Sequence, residues 1–322
     1  MTTPHSAPAE ATERPAVVGG TGPHVRPITA APRLGQKRPQ RRKIVGRMGD
    51  WQLLRVIGEG AMTRVYAAQP MGAEGAAAYA VKALKREWWN DAAAVETLRR
   101  EAWAGGRVGG PNLAPVLASG VGAPPHYVVT PLLRGQTAAA MIASGRLPRL
   151  TLALWIARQA AQALSELWRG VGVVHGDVKP ANLLVGPDGH TTLLDLGFCQ
   201  SPRESRGWAD RPVLGTLRYL APERVTSSAA IDPRGDLYSL GATLYELITG
   251  RPAMDGETPA ALLSQHRERR PECLRSIAPA TPRAVASLVH RLLAKEPLRR
   301  PATPDEVVDE LVRLEIACFT MR

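Results

Sequence analysis

The chain has 322 residues, 44% of them hydrophobic and 22% charged, a balance too apolar for general disorder and sufficient for a sizeable core. Its most apolar long stretch, Leu150 to Val174, is interrupted by Arg158, Gln159, Gln162, Glu166 and Arg169, so no run reaches the length of a membrane span. The formal charge of +12 is uneven: residues 1–48 hold nine Lys or Arg against two Glu, and the other 274 hold 32 against 27.

Residues 1–48 contain seven Pro and five Gly and show neither helical nor strand periodicity, which predicts a disordered basic tail. Its cluster Lys37–Lys43 (KRPQRRK) suits contact with a polyanion. The first residues lack an apolar leader, and Cys199, Cys273 and Cys318 are far apart with no CxxC pair. These features predict a reducing, cytoplasmic setting without a disulfide framework or a zinc site.

From Gly49 the pattern changes. Trp51–Gly58, Thr63–Gln69 and Ala77–Leu84 are short β-prone runs separated by glycine-containing turns. Asp91 is placed to cap a helix reaching about Val108, with Val95, Leu98 and Ala102 on one face. Two more strands are expected at Ala114–Ala118 and His126–Leu132. Beyond residue 136 helices dominate. Leu152, Ile156, Ala160, Ala163, Leu164 and Leu167 share one face of a long helix, and Asp236–Thr249 is apolar nearly all round, as in a buried helix stopped by Gly250 and Pro252. Further helices are expected at 258–268, 281–294 and 304–317, the last started by Thr303 and Pro304. The pattern is a small β-rich lobe followed by a larger α-rich one.

The strongest local signal is His175-Gly176-Asp177-Val178-Lys179-Pro180-Ala181-Asn182, on a loop between the long helix and a short strand, Leu183–Val185. An acid, a lysine and an amide within six residues can serve one centre: the acid orients a hydroxyl, the lysine neutralises a phosphate, and the amide oxygen faces a hard cation. Asp195-Leu196-Gly197 follows a second short strand, Thr192–Leu194, where a carboxylate can hold Mg²⁺ against phosphate oxygens. Gly58-Glu59-Gly60 lies between two strands, not at the strand-to-helix turn of a dinucleotide fold, and no GxxxxGK[ST] of a P-loop NTPase occurs.

In this order and spacing the motifs resemble the eukaryotic-like protein Ser/Thr kinases, in the form with His-Gly-Asp in the catalytic loop. The resemblance covers about residues 49–318 and implies a bilobal α+β fold, with the small lobe at about 49–132 and the large lobe at about 136–318. It further implies ATP and Mg²⁺ as cofactors and protein Ser/Thr hydroxyls as acceptors. Residue by residue it suggests Gly58, Glu59 and Gly60 over the phosphates, Lys82 (in Tyr79-Ala80-Val81-Lys82) on them, and Glu101 holding Lys82. Val65 and Ala80 would cover the adenine, Thr130 would back it, and backbone groups around Leu132 and Leu133 would bond its edge. Asp177 would take the hydroxyl proton, Lys179 would steady the γ-phosphate, and Asn182 and Asp195 would hold metal. His175 is expected as a packed residue, Asp236 as a brace of the catalytic loop, and Glu223 as the ion-pair partner of Arg300. Lys179, and Thr216 in Gly215–Glu223, point to Ser/Thr rather than Tyr acceptors. The complete set Lys82, Glu101, Asp177, Asn182 and Asp195 favours catalysis over a nucleotide-binding pseudokinase or scaffold.

Three positions depart from the family pattern. Thr63 replaces the third glycine of the Gly-rich loop. Gly176 replaces the arginine that usually reads an activation-segment phosphate, which predicts weak dependence on phosphate at Ser201, Ser205 or Thr216; Arg203 and Arg206 lie on that segment and make poor fixed anchors. Gly105 stands where a bulky apolar side chain usually stacks between the lobes. With Gly106 it should cost the helix about 2 kcal/mol. The expectation is a loosely seated helix that gains from a regulatory partner or a second protomer on the small lobe, and from Gly105→Leu.

Overall fold

The computed structural model describes residues 44–202, 216–226 and 231–319. The tail up to residue 43, and Arg203, Ser205, Arg206 and Gly215, lie outside the described residues.

The small lobe is a six-stranded sheet in the order β1-β2-β3-β4-β6-β5, every neighbouring pair antiparallel. Its strands are β1 (Gly46–Met48), β2 (Trp51–Glu59), β3 (Thr63–Pro70), β4 (Tyr79–Leu84), β5 (Ala118–Gly120) and β6 (Tyr127–Pro131). Strand β1 pairs Gly46 with Leu53 and Met48 with Trp51, so the folded body begins a few residues before the boundary expected at 49. The strand expected at Ala114–Ala118 is displaced to β5. Pro115 has no N–H to donate, and its neighbours turn elsewhere: Ala114 N donates to Leu193 O, and Val116 N to Gly105 O.

Helix α1 (Ala92–Gly105) crosses the sheet. Asp91 accepts a hydrogen bond from Ala94 N at 2.8 Å, and Val95, Leu98 and Glu101 lie on the buried face. It stops three residues short of the expected Val108, at the glycine pair where helix propensity is lowest. Val95 and Leu98 pack with Leu84 and Val128 into a small core of their own.

The large lobe holds β7 (Gln136–Thr137), α2 (Ala138–Ala143), α3 (Leu150–Val171), β8 (Leu183–Val185), β9 (Thr191–Leu193), α4 (Glu223–Thr226), α5 (Arg234–Thr249), α6 (Pro259–Glu268), α7 (Leu274–Ile277), α8 (Arg283–Leu292) and α9 (Pro304–Phe319). One continuous core joins Ile156, Ala160, Leu164 and Leu167 of α3 to Leu237, Leu240 and Leu244 of α5, Leu288 and Leu292 of α8, and Leu311 of α9. Helix α5 is buried on all sides from Gly235 to Tyr245, as a segment apolar nearly all round predicts. The antiparallel sheet β7-β8-β9 covers one side of α3 and delivers the two motif loops to the cleft between the lobes.

Candidate functional site in the cleft between the lobes

Three ionised side chains from three separate elements meet in the cleft. Lys82 sits in mid-strand on β4, in register with Val65 of β3 and Val128 of β6. Its Nζ donates to Glu101 Oε2 of α1 at 2.8 Å and to Asp195 Oδ1 at 2.7 Å. Asp195 follows β9 with φ +66°, a left-handed conformation that aspartate tolerates better than most residues. The next residue, Leu196, is buried in the large-lobe core and fixes the turn. Burial alone would lower the Lys82 pKa, but the Asp195 and Glu101 carboxylates raise it, so Lys82 stays cationic. Burial pushes Glu101 upward against the pull of Lys82. Asp195 is held below its ordinary value: Lys82, with Lys179 behind it, outweighs its desolvation.

The second group is the loop from His175 to Asn182. His175 is fully buried; its Nδ1 accepts from Asp177 N at 3.2 Å, which assigns the ring proton to Nε2, 3.0 Å from Leu194 O. This is the packed role expected for it. Asp236 Oδ2 accepts from His175 N at 2.6 Å and Oδ1 from Gly176 N at 2.9 Å, so the start of α5 braces the loop backbone. Asp177 is 2% exposed. Its Oδ2 accepts from Asn182 Nδ2 at 2.9 Å and pairs with Lys179 Nζ at 2.7 Å. Among the described residues its buried Oδ1 has no hydrogen-bond partner. Asn182 Nδ2 also donates to Asp177 O at 2.8 Å, which leaves the amide oxygen as the end able to face a cation. Leu194 N donates to Asn182 O and thereby ties the two motif loops together.

The small-lobe side of the cleft carries Gly58, Glu59 and Gly60 at the β2–β3 turn. Gly58 pairs with Val65, with a register irregularity just before it, and Gly60 N donates to Thr63 O at 2.8 Å. Neither glycine has positive φ, and a Cβ on either would meet its neighbours at ordinary distances of 3.5 Å or more. The fold thus does not require glycine at either position, and the missing side chains leave the backbone open to close approach. Glu59 is held by Arg64 at 2.7 Å and Lys85 at 3.2 Å, which pins the turn. Val65, Ala80 and Thr130 lie on three adjacent strands, Ala80 opposite Thr130 in register. After β6, Leu132 N donates to Ala78 O. That amide is therefore occupied within the small lobe, so it is not among the backbone groups around Leu132 and Leu133 open to an adenine edge.

In the large lobe Glu223 and Arg300 form the expected pair, bidentate at 2.6 and 2.8 Å. Arg300 also donates to the carbonyls of Ala294, Arg234 and Lys295 and lies over the Tyr238 ring, which fixes its planar fork. Thr216 opens a 3₁₀ turn, Thr216–Tyr219; its side chain lies outside the described part. Cys199 is buried, and burial together with the nearby Asp236, Asp195 and Glu101 carboxylates pushes its thiol well above its ordinary value, so it stays protonated.

One expectation is overturned. Gly105 does not leave a gap. It is buried, and a Cβ there would lie 2.5 Å from Val116 Cγ2 and 3.1 Å from Val116 N. Val116, on the segment displaced from the sheet, fills the place and bonds Gly105 O. The helix is seated by a side chain reaching in rather than out, and no periodic pattern could signal this because Val116 lies in a loop.

The chain matches the protein kinase domain model over residues 51–312. It is 31% identical over 274 residues to a probable serine/threonine-protein kinase of Clostridium perfringens, covering 85% of this chain and 39% of that protein. Over 259 residues it is 29% identical to the serine/threonine-protein kinase PrkC of Bacillus subtilis, covering 80% and 39%. Over 291 residues it is 30% identical to PksC of Streptomyces coelicolor, covering 87% and 51%. The chain thus spans between two fifths and about half of the length of these relatives. With 262 of its residues on the domain model, and with the ion pairs above in the order of the motifs, the chain belongs to the protein kinase domain family.

Proposed function

We propose that the chain is a protein serine/threonine kinase that transfers the ATP γ-phosphate to Ser or Thr hydroxyls of protein substrates. The observation that carries this reading is the Oδ1 of Asp177: a buried carboxylate oxygen with no donor among the described residues, beside a lysine and an amide. Leaving such an oxygen unsatisfied costs free energy, on the order of 1–3 kcal/mol, which an incoming hydroxyl would recover. In the reaction the acceptor oxygen bonds to the γ-phosphorus, the bond to the β-phosphate oxygen breaks, ADP leaves, and Asp177 takes the hydroxyl proton.

The donor set suits Mg²⁺. Asp195 and the Asn182 amide oxygen offer hard oxygens from the two motif loops, which Leu194 N and Asn182 O tie together. Among the described residues no closed cluster of three or more His, Cys, Asp or Glu exists, which fits a cation that shares substrate phosphate oxygens and water. When bound, Mg²⁺ would offset the charge gathering on the transferring group. Lys82, released in part from Asp195, would neutralise the α- and β-phosphates, and Glu101 would keep it aimed. Lys179 would screen the γ-phosphate from Asp177. Gly58, Glu59 and Gly60 would lie over the phosphates, with Val65, Ala80, Thr130 and Leu133 around the base. Catalysis on this reading is positioning and charge neutralisation. The acceptor class follows Lys179 and the relatives, each named a serine/threonine-protein kinase. The three cysteines, all free, fit a reducing, cytoplasmic compartment. No helix of the described residues is long and apolar enough to cross a membrane. Polyanion contact through the basic tail remains part of the proposal, tested by salt-dependent binding with and without residues 1–43.

The deciding experiment incubates the purified chain with Mg²⁺, labelled ATP and a generic Ser/Thr protein substrate, beside Asp177→Asn. Label on serine and threonine with the wild type and none with the variant is expected. Nucleotide binding without transfer by the wild type would instead establish the pseudokinase reading.

A further inference from the structure

The residue before Asp177 is Gly176, so the loop carries no cation of its own at that point. The structure fills the place from another element. Arg224, in the short helix α4, is buried, and its Nη2 lies 3.6 Å from Asp236 Oδ1 with side chains 8% and 4% exposed. Asp236 is the carboxylate that holds His175 N and Gly176 N. One glycine makes room for the guanidinium and a second borders it. A Cβ on Gly176 would come within 3.4 Å of Arg224 Nη1, and one on Gly235 within 2.6 Å of its Nε. Gly176 also has φ +81° and lies so close to Phe198 O that a Cβ would sit 2.5 Å from it. The backbone there is both left-handed and crowded, which favours glycine and bars an unshifted side chain.

We infer that Arg224 is a positioning residue for catalysis: from the end of the activation segment it supplies the buried positive charge that the catalytic loop lacks. The physical need is clear. Asp236 is a buried carboxylate that holds two backbone N–H groups, and the guanidinium beside its Oδ1 fixes which way it faces. If Asp236 rotated away, it would release His175 N and Gly176 N, and Asp177 follows directly in the chain. Arg224 is covalently next to Glu223, whose carboxylate is fixed by Arg300. The two neighbours thus fasten one short helix to two anchors, Glu223 to the loop before α9 and Arg224 to the head of α5. The approach of Arg224 to Asp236 is made by the chain's own residues, so on this inference the loop is braced in the unmodified chain.

The test compares wild type, Arg224→Met and Arg224→Lys, all treated with phosphatase. Local hydrogen exchange of a peptide spanning 172–178 reads the loop, steady-state kinetics read catalysis, and nucleotide affinity reads the cleft. In Arg224→Met, exchange of this peptide should rise at least tenfold. The turnover number should fall at least tenfold, with KM for ATP and nucleotide affinity within twofold of wild type. Arg224→Lys, which keeps a charge, should recover most of both. The inference rests on the kinase reading, but the exchange arm stands without transfer activity: a wild type inactive in transfer with a loop loosened by Arg224→Met would sink the kinase reading and leave Arg224 as a brace of the loop with no catalytic role. The inference is overturned if exchange at 172–178 is unchanged, or if it rises no more than in α3, α5 and α8, since Arg224 would then be only one more buried residue of the lobe.

Discussion

Two ion-pair clusters lie on either side of the catalytic loop and use the same elementary attraction to different ends. Across the cleft, Lys82 bridges Glu101 and Asp195 by single contacts, and the lysine and Asp195 side chains remain 18% and 29% exposed. Within the large lobe, Arg300 grips Glu223 through two parallel bonds with its own side chain fully buried, and three carbonyls complete its fork. A lysine on a flexible stem can exchange one oxygen ligand for another when phosphate arrives; a bidentate arginine sealed in the lobe cannot. The first cluster is therefore read as built for turnover and the second for permanence, and perturbing each should move a different observable.

The largest expected effect is on the permanent cluster. Arg300→Met removes both bonds to Glu223 and the donor to three carbonyls and should cost about 3–5 kcal/mol of stability, read as a drop in the urea midpoint, with loss of activity following only from unfolding. Intact stability with a slowed rate would reverse the comparison. Lys82→Met should do the opposite: a roughly 10²–10³-fold fall in turnover, with the melting temperature within a few degrees of wild type. A large loss of stability in that variant would make Lys82 a structural cation like Arg300.

Next comes pH, at the buried Tyr238–His266 contact behind Arg300. Tyr238 Oη and His266 Nδ1 are 2.9 Å apart, and burial, helped by Lys295, lowers the His266 pKa to about 4. The folded state then binds this proton less readily than the unfolded chain. Its contribution is complete above about pH 6.5 and is lost as the pH falls toward 4, on the order of 3 kcal/mol in all. Unfolding of wild type and His266→Gln at pH 7.5 and 5 should show the variant less sensitive to acid; equal sensitivity would remove His266 from the account. The smallest effect tests the seating of α1. Gly105→Leu should destabilise by about 1–3 kcal/mol through collision with Val116, and should lower activity by displacing Glu101. A gain in activity would restore the idea of a gap awaiting a partner.

Much of this was legible in one dimension because the governing forces are local. Short β-prone runs bounded by glycine-containing turns specify β2, β3 and β4; a segment apolar nearly all round specifies α5 as a helix in the core; and Asp91, Thr258 and Thr303 mark helix starts by the hydrogen bonds they accept from the backbone ahead of them. The site residues were readable because their chemistry needs particular side chains at short spacings, from Asp177 to Asn182 and on to Asp195. What the tertiary structure decided are contacts between residues far apart in the chain whose types are individually unremarkable. Val116 reaching Gly105 depends on how a loop containing Pro115 turns from the sheet, and the occupied amide of Leu132 depends on its pairing with Ala78. Arg224 beside Asp236 depends on Gly235, whose missing side chain leaves the space the guanidinium takes. Sequence by itself determined the elements and the reacting groups, because hydrogen bonding and burial along a short segment set them. Close packing determined which side chain occupies each space between the elements, because density is satisfied in three dimensions and leaves no period to read.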